Sequence, residues 1–241
     1  MRAGDTHFIF DLGTGVRELG AASKAPLDAH VFISHYHYDH LQGLPFFGPI
    51  FDPRSRFTVR GPTRNGRTVK DVVSGQMQQP YFPVTAEMVF RAQLDYQPFE
   101  AGDRLRLGDV TVVAIEAHHP GGNLAYRIEY RGRSVVYATD HEHGDRDAQL
   151  IDFSRDADVI IYDSMYTDDE YLGRVGSAKT GWGHSTWQSA VRIARAAKVK
   201  SLILFHHDPT RTDDALDALV RVVKKEFKQT IAAREGLVVK L

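Results

Sequence analysis

Ser34-His35-Tyr36-His37-Tyr38-Asp39-His40-Leu41-Gln42-Gly43 puts three histidines and an aspartate within six positions, directly after an apolar, strand-like stretch, His30-Val31-Phe32-Ile33. Neutral imidazole nitrogens and a carboxylate oxygen are the ligands that a borderline divalent metal such as zinc prefers. On extended chain alternate side chains share a face, so His35 and His37 can point at the same ion. Asp39 and His40 follow where Gly43 and Pro45 predict a turn into a new element, and a turn can aim adjacent side chains at a second ion. One loop cannot complete a two-ion site. A chain with this loop must therefore fold so that other strands deliver histidine and aspartate to it.

Three strand ends offer such residues. Glu116-Ala117-His118-His119-Pro120-Gly121-Gly122 closes one apolar run, Tyr137-Ala138-Thr139-Asp140 a second, and Leu204-Phe205-His206-His207-Asp208-Pro209 a third. An aspartate closing an apolar strand can bridge two cations with its two oxygens. A lone histidine at a strand end is more often a surface residue, but three such ends beside the first loop reverse that balance. Spacing alone leaves both doublets open, His118 against His119 and His206 against His207.

The composition narrows the chemistry. The chain has 241 residues with no cysteine, which excludes disulfides and thiolate metal sites and leaves His, Asp and Glu as ligands. A net charge of −1 gives no global electrostatic footprint for nucleic acid or membrane. No apolar run approaches the roughly 20 residues that span a bilayer. Met1-Arg2-Ala3-Gly4-Asp5 does not open a signal peptide, so a cytoplasmic enzyme is the expectation. Apolar runs bounded by turn residues predict strands over 6–11, 30–34, 57–60, 110–117, 124–130, 134–139, 159–162 and 201–205. Three- and four-residue apolar spacing predicts helices over 68–77, 145–153, 186–197 and 212–227. Early strands cluster without helices between them and the last third alternates strand with helix, which suggests an α/β fold of sheets covered by helices. With no linker or repeat, residues 1–241 read as one domain.

His-x-His-x-Asp-His after a strand resembles the signature of the metallo-β-lactamase superfamily, and the Asp between the second and third His is similar to its dinuclear hydrolase branches. The resemblance implies an αββα sandwich of two mixed β-sheets flanked by helices, and two divalent ions, zinc first with manganese or iron(II) as alternatives. It also chooses within the doublets. The family's third histidine precedes a short turn and a strand like Leu124-Ala125-Tyr126-Arg127-Ile128, which favours His119; its last histidine directly follows an apolar strand, which favours His206. The implied ligands are His35, His37 and His119 for one ion, Asp39, His40 and His206 for the other, with Asp140 bridging. Gly183-His184-Ser185-Thr186 looks like the His-Ser-Thr loop of the ribonuclease Z and phosphodiesterase branch, whose histidine donates a proton to the leaving oxygen. Asp163, in Ile161-Tyr162-Asp163-Ser164-Met165, takes the place of the glutamate that orients it.

Two departures shape the expected function. Ribonuclease Z carries a long basic arm between its third histidine and bridging aspartate, whereas here one strand and the Arg131-Gly132-Arg133 hairpin fill that interval, so tRNA processing is demoted. Relatives also open with an additional strand and a Gly-Gly-Asn-Thr-type turn, which this sequence lacks, implying a shortened start or a compact sheet edge. The expectation is a dinuclear phosphodiesterase acting on a nucleotide-like or other phosphodiester, with Asp39, His184 and Asp163 as catalytic groups. The alternatives are a lactone or carboxyl-ester hydrolase and a non-catalytic nucleic-acid-binding module. A homodimer is allowed by nothing more than the absence of a contrary signal.

Weaker signals remain. Asp11-Leu12-Gly13-Thr14-Gly15 reads as a turn after a strand rather than a phosphate loop, with Asp11 a candidate partner for a ligand histidine. Arg54, Arg56, Arg60, Arg64, Arg67 and Lys70 read as a solvated basic face sooner than a phosphate site. The segment 76–84 carries Tyr81 and Phe82 between prolines and suits either a substrate wall or a packed connection.

Overall fold

A computed structural model describes residues 1–23 and 26–241. They form two compact units, Met1–Ala101 and Gly102–Leu241, each built on one mixed sheet flanked by helices. In the first unit, strands β1 (Arg2–Ala3), β2 (Thr6–Phe10), β3 (Asp28–Phe32), β4 (Arg56–Gly61) and β5 (Gln93–Pro98) lie side by side in chain order. β1 pairs antiparallel with β2, and the other pairs are parallel. Parallel neighbours need crossover connections. Helix α1 (Gly15–Ala22) lies between β2 and β3, and helices α2 (Val69–Gly75) and α3 (Ala86–Val89) lie between β4 and β5. α2 starts at a capping box in which Thr68 and Asp71 satisfy each other's backbone N–H. The link from β3 to β4 is a series of 3₁₀ turns, the first of them Tyr38–His40. Val31, Ile33, Phe57 and Val59 pack with Leu44, Phe47, Val69 and Val73 to form this unit's core.

In the second unit, β6 (Arg104–Leu107), β7 (Val110–Ala117), β8 (Asn123–Tyr130) and β9 (Arg133–Ala138) make an antiparallel meander. β10 (Val159–Asp163), β11 (Ser201–Phe205) and β12 (Thr230–Ala232) then add in parallel beyond β9. Helix α4 (Asp147–Phe153) bridges β9 to β10, α5 (Asp168–Tyr171) and α6 (Trp187–Ala196) bridge β10 to β11, and α7 (Asp213–Glu226) bridges β11 to β12. α6 begins where Thr186 Oγ1 accepts the Ser189 N–H. Its buried face, Ala190, Val191, Ile193 and Ala194, joins the core that holds Ile160, Leu202 and Leu204. Each large aliphatic side chain buried there contributes about 1.5–3 kcal/mol.

Strand direction positions the chemistry. β7 and β9 are both antiparallel to β8, so they run the same way, and β10 and β11 run parallel to β9. The carboxyl ends of β7, β9, β10 and β11 therefore share one edge of the sheet, where ligands of open α/β sheets collect.

All eight expected strands and four expected helices are present, with ends shifted by a residue or two. The early strands are not helix-free, because α1, α2 and α3 intervene. α1 buries only Val16 among its small residues, so it has little apolar periodicity to read. Edge and short strands also escaped the pattern: β6 is Arg-Leu-Arg-Leu at one end of its sheet, and β5 alternates exposed and half-buried positions. The basic stretch is not one solvated face. Arg60 is buried with its guanidinium on His30 and Gln97, while Arg54 pairs with Asp52 and Arg64 with Glu100. Segment 76–84 packs in part as a connection over the core, with Met77 buried, while Tyr81 is exposed. Among the described residues no helix is long and apolar enough to cross a membrane.

Candidate metal centre

The first unit holds four of the expected ligands in one loop. The chain leaves β3 at Phe32 and turns into the 3₁₀ segment, packing the His35 ring 4.6 Å from His37 and 4.2 Å from His40. His35 and His40 are buried, His37 and Asp39 exposed. The loop is gripped by the end of β2: Leu12 N donates to His40 O (2.7 Å) and Gly43 N to Leu12 O (2.9 Å). The grip needs Gly13, where a Cβ would sit 2.4 Å from the carbonyl oxygen of Asp39.

Asp11 organises the ring nitrogens. It sits at φ 61°, in the left-handed region that Asp tolerates better than most residues, and turns its carboxylate back toward the loop. Asp11 Oδ1 accepts Ser34 N (2.6 Å), while Oδ2 accepts Ser34 Oγ (2.8 Å) and His40 Nδ1 (2.9 Å). The Ser34 hydroxyl proton is thereby committed to Asp11, so the 3.1 Å contact with His35 must carry the proton of His35 Nδ1. Both rings then hold their proton on Nδ1 and their lone pair on Nε2, the arrangement of a metal-ligating histidine supported by a carboxylate.

The second unit gathers the remaining expected residues at the shared strand edge. His119 follows β7, Asp140 follows β9, Asp163 ends β10 and His206 follows β11. Asp140 lies 3.9 Å from His119 Nε2 through Oδ2 and 3.3 Å from His206 Nε2 through Oδ1. Asp140 and His206 both have positive φ, 49° and 54°, so each strand ends in a sharp turn that aims the side chain off the sheet edge. Asn123 Nδ2 pins the Asp140 segment by donating to Thr139 O (2.6 Å) and Asp140 O (2.9 Å). His119 Nδ1 donates to Gly183 O (2.8 Å), which again leaves the lone pair on Nε2.

His184 stacks on His206 at 4.8 Å between ring centres, and its Nδ1 is 2.9 Å from Asp163 Oδ2 and 3.9 Å from Asp140 Oδ2. Asp163 is fully buried and takes further bonds from Met165 N (3.1 Å) and Ser185 N (3.3 Å). The expected orienting contact is thus present despite the shorter aspartate arm. Asp140, Asp163, His184 and His206 bring nitrogen and oxygen atoms within 4.8 Å of one another, so the donor candidate His184 lies beside the ligand candidates Asp140 and His206. His118 serves as structure: its Nδ1 donates to Glu142 O (3.1 Å) and its carbonyl accepts Glu142 N (2.8 Å). Burial lowers the pKa of half-buried His207 below the usual histidine value.

Several residues of the site carry no sequence signal of their own. Glu142 is buried, with Oε1 accepting Tyr171 OH (2.6 Å) and Gly181 N (2.6 Å) and Oε2 accepting Gly183 N (2.7 Å). Burial opposes its ionisation, but those bonds outweigh it and hold its pKa below the usual carboxylate value. Asn123 and Ser34 likewise looked unremarkable, because their partners are distant in sequence or are backbone atoms.

Two mixed sheets with histidine and aspartate clusters at their strand ends define a metallo-hydrolase of the metallo-β-lactamase fold. The chain belongs to the beta-lactamase superfamily, whose domain matches residues 7–207. It is similar to ribonuclease Z of Thermoplasma acidophilum, with 27% identity covering 94% of this chain and 84% of that protein. It is equally similar to the probable metallo-hydrolase YhfI of Bacillus subtilis, at 27% identity over 94% and 88% of the two chains. The crystal structure of YhfI superposes with a TM-score of 0.73 at 24% identity, covering 98% of this chain and 87% of that one. A diphosphatase of the PhnP family superposes with a TM-score of 0.71 at 17% identity, over 100% and 82% of the chains.

Proposed function

We propose that both units act together as one hydrolase domain, a dinuclear phosphodiesterase for nucleotide-like or other small phosphodiesters. His35, His37 and His119 would hold one ion and Asp39, His40 and His206 the other, with Asp140 between them; zinc fits this all-nitrogen-and-oxygen set, as do manganese and iron(II). The ordered ligand loop and the Nδ1 protonation of His35, His40 and His119 support this reading. When bound, such ions acidify water and neutralise charge on phosphoryl oxygens. Asp39, exposed on the loop, is suited to accept a proton from the attacking water.

The observation that carries the phosphodiester reading is the His184–Asp163 pair. A carboxylate on Nδ1 keeps the ring oriented, so that Nε2 is the nitrogen available to pass a proton to a departing alkoxide. The relative named ribonuclease Z, whose name marks RNA as its substrate, supports the same bond type. The interval between His119 and Asp140 holds only the β8–β9 hairpin and leaves no length for a tRNA-gripping arm, which favours small substrates.

His184→Ala should retain metal and slow hydrolysis of alkyl or nucleotide phosphodiesters by roughly 10²–10⁴-fold. Bis-p-nitrophenyl phosphate should lose far less, since nitrophenolate leaves without a proton. Equal losses for good and poor leaving groups at matched metal occupancy would exclude the donor role, and with it the preference for phosphodiesters over lactones.

A further inference from the structure

We infer that Glu142 is a positioning residue: it clamps the loop 181–184 and thereby sets both His184 and the ring of His119. This rests on the proton-donor reading of His184. Glu142 lies two residues beyond Asp140 in a buried position, where a carboxylate is costly unless fully hydrogen-bonded. Its three donors are Tyr171 OH and the backbone amides of Gly181 and Gly183. An ionised carboxylate is the side chain suited to that task, because it accepts on both oxygens and has no proton to place.

What the clamp holds explains why it is there. Gly183, bonded to Glu142 through its N–H, uses its carbonyl to orient His119 Nδ1 at 2.8 Å. It sits at φ +87° with no room for a side chain, since a Cβ would lie 2.2 Å from His119 Nδ1. His184 follows immediately and reaches Asp163. The far side of the clamp is Tyr171 at the end of α5, a short helix fixed by the Thr167–Glu170 capping box. One buried carboxylate therefore ties the segment after Asp140 to the loop that carries the donor.

Glu142→Gln tests this with little change of volume. The amide keeps one oxygen but turns an NH₂ toward a backbone N–H, whichever way it flips, so a donor faces a donor. In metal-loaded protein, hydrogen exchange at whichever of Gly181 and Gly183 faces the NH₂ should accelerate by about 10–100-fold, the loss expected for a bond to a charged acceptor. The rate loss should be larger for alkyl than for p-nitrophenyl phosphodiesters. Unchanged exchange would overturn the clamp whatever His184 does. Faster exchange with an unaltered leaving-group ratio, in an assay where His184→Ala alters it, would overturn the positioning role while sparing the donor reading. No leaving-group dependence in His184→Ala itself would remove the donor, and the positioning proposal would fall with it.

Discussion

Asp11 shows how one carboxylate decides the protonation of a neighbourhood. It accepts from Ser34 and His40, and through the Ser34 hydroxyl it also settles the tautomer of His35. Asp11→Asn should fold, because Asn also tolerates positive φ. Its NH₂, however, would donate toward His40 Nδ1 and drive the ring proton to Nε2, removing the lone pair from the ligand nitrogen. Metal affinity should fall about 10–100-fold, the usual cost of losing such a supporting bond. Calorimetric titration of apo protein with zinc measures this, and an unaltered affinity would show that Asp11 does not govern the ring. The sequence marks Asp11 as a partner for some histidine, but not which one.

At the level of elements, the site depends on a turn that immediately follows β9. Asp140 leaves the strand at φ 49° while β8, through Asn123, holds the carbonyls of residues 139 and 140. Asn123→Ala would strand two buried carbonyls that no water reaches easily. Urea unfolding should show a loss of about 1–3 kcal/mol, and metal content after dialysis should drop because the Asp140 carboxylate is no longer held in place. A variant as stable and as metal-rich as the parent would mean that the β9 turn holds its shape without β8. Asn123 precedes Thr139 and Asp140 by 16 and 17 positions, so its role follows from strand pairing and is invisible to local spacing.

For the molecule as a whole, acid sensitivity should concentrate in the second unit. Glu142 and Asp158 are buried and Asp147 is half-buried, which opposes ionisation, yet hydrogen bonds outweigh burial and hold their pKa values below normal. Asp158 accepts from Lys200 Nζ (2.8 Å), Ser134 N (2.8 Å) and Arg133 Nη1 (3.2 Å). A carboxylate with a depressed folded pKa contributes stability that is fully present above its unfolded value, about 3.9 for Asp, and is lost as pH falls through the folded value. The contribution of these carboxylates to the unfolding free energy should therefore be flat between pH 7 and 5 and decline below about pH 4. Asp158→Asn should lower stability at pH 7 and flatten that decline. Parallel pH profiles for parent and variant would show that Asp158 has the same proton affinity folded and unfolded.

Much of this architecture is written locally. Apolar runs set eight strands, hydroxyl caps at Thr186 and Thr212 start two helices, and the His35–His40 spacing sets a ligand loop, because each depends on neighbours a few positions away. The family's order of motifs extends this to His119, Asp140, His184 and His206. Other features arise from partners far apart in the chain: the clamp joins Glu142 to Gly183 across 41 positions, Arg60 is drawn into the sheet by His30 and Gln97, and His119 receives its tautomer from a carbonyl 64 residues on. A hydrogen bond is set by where the folded backbone brings two groups, and residue type alone says only that a donor or an acceptor is available. That is why candidate ligand residues can be read from the sequence, while the protons they carry and the carboxylates that hold them await the fold.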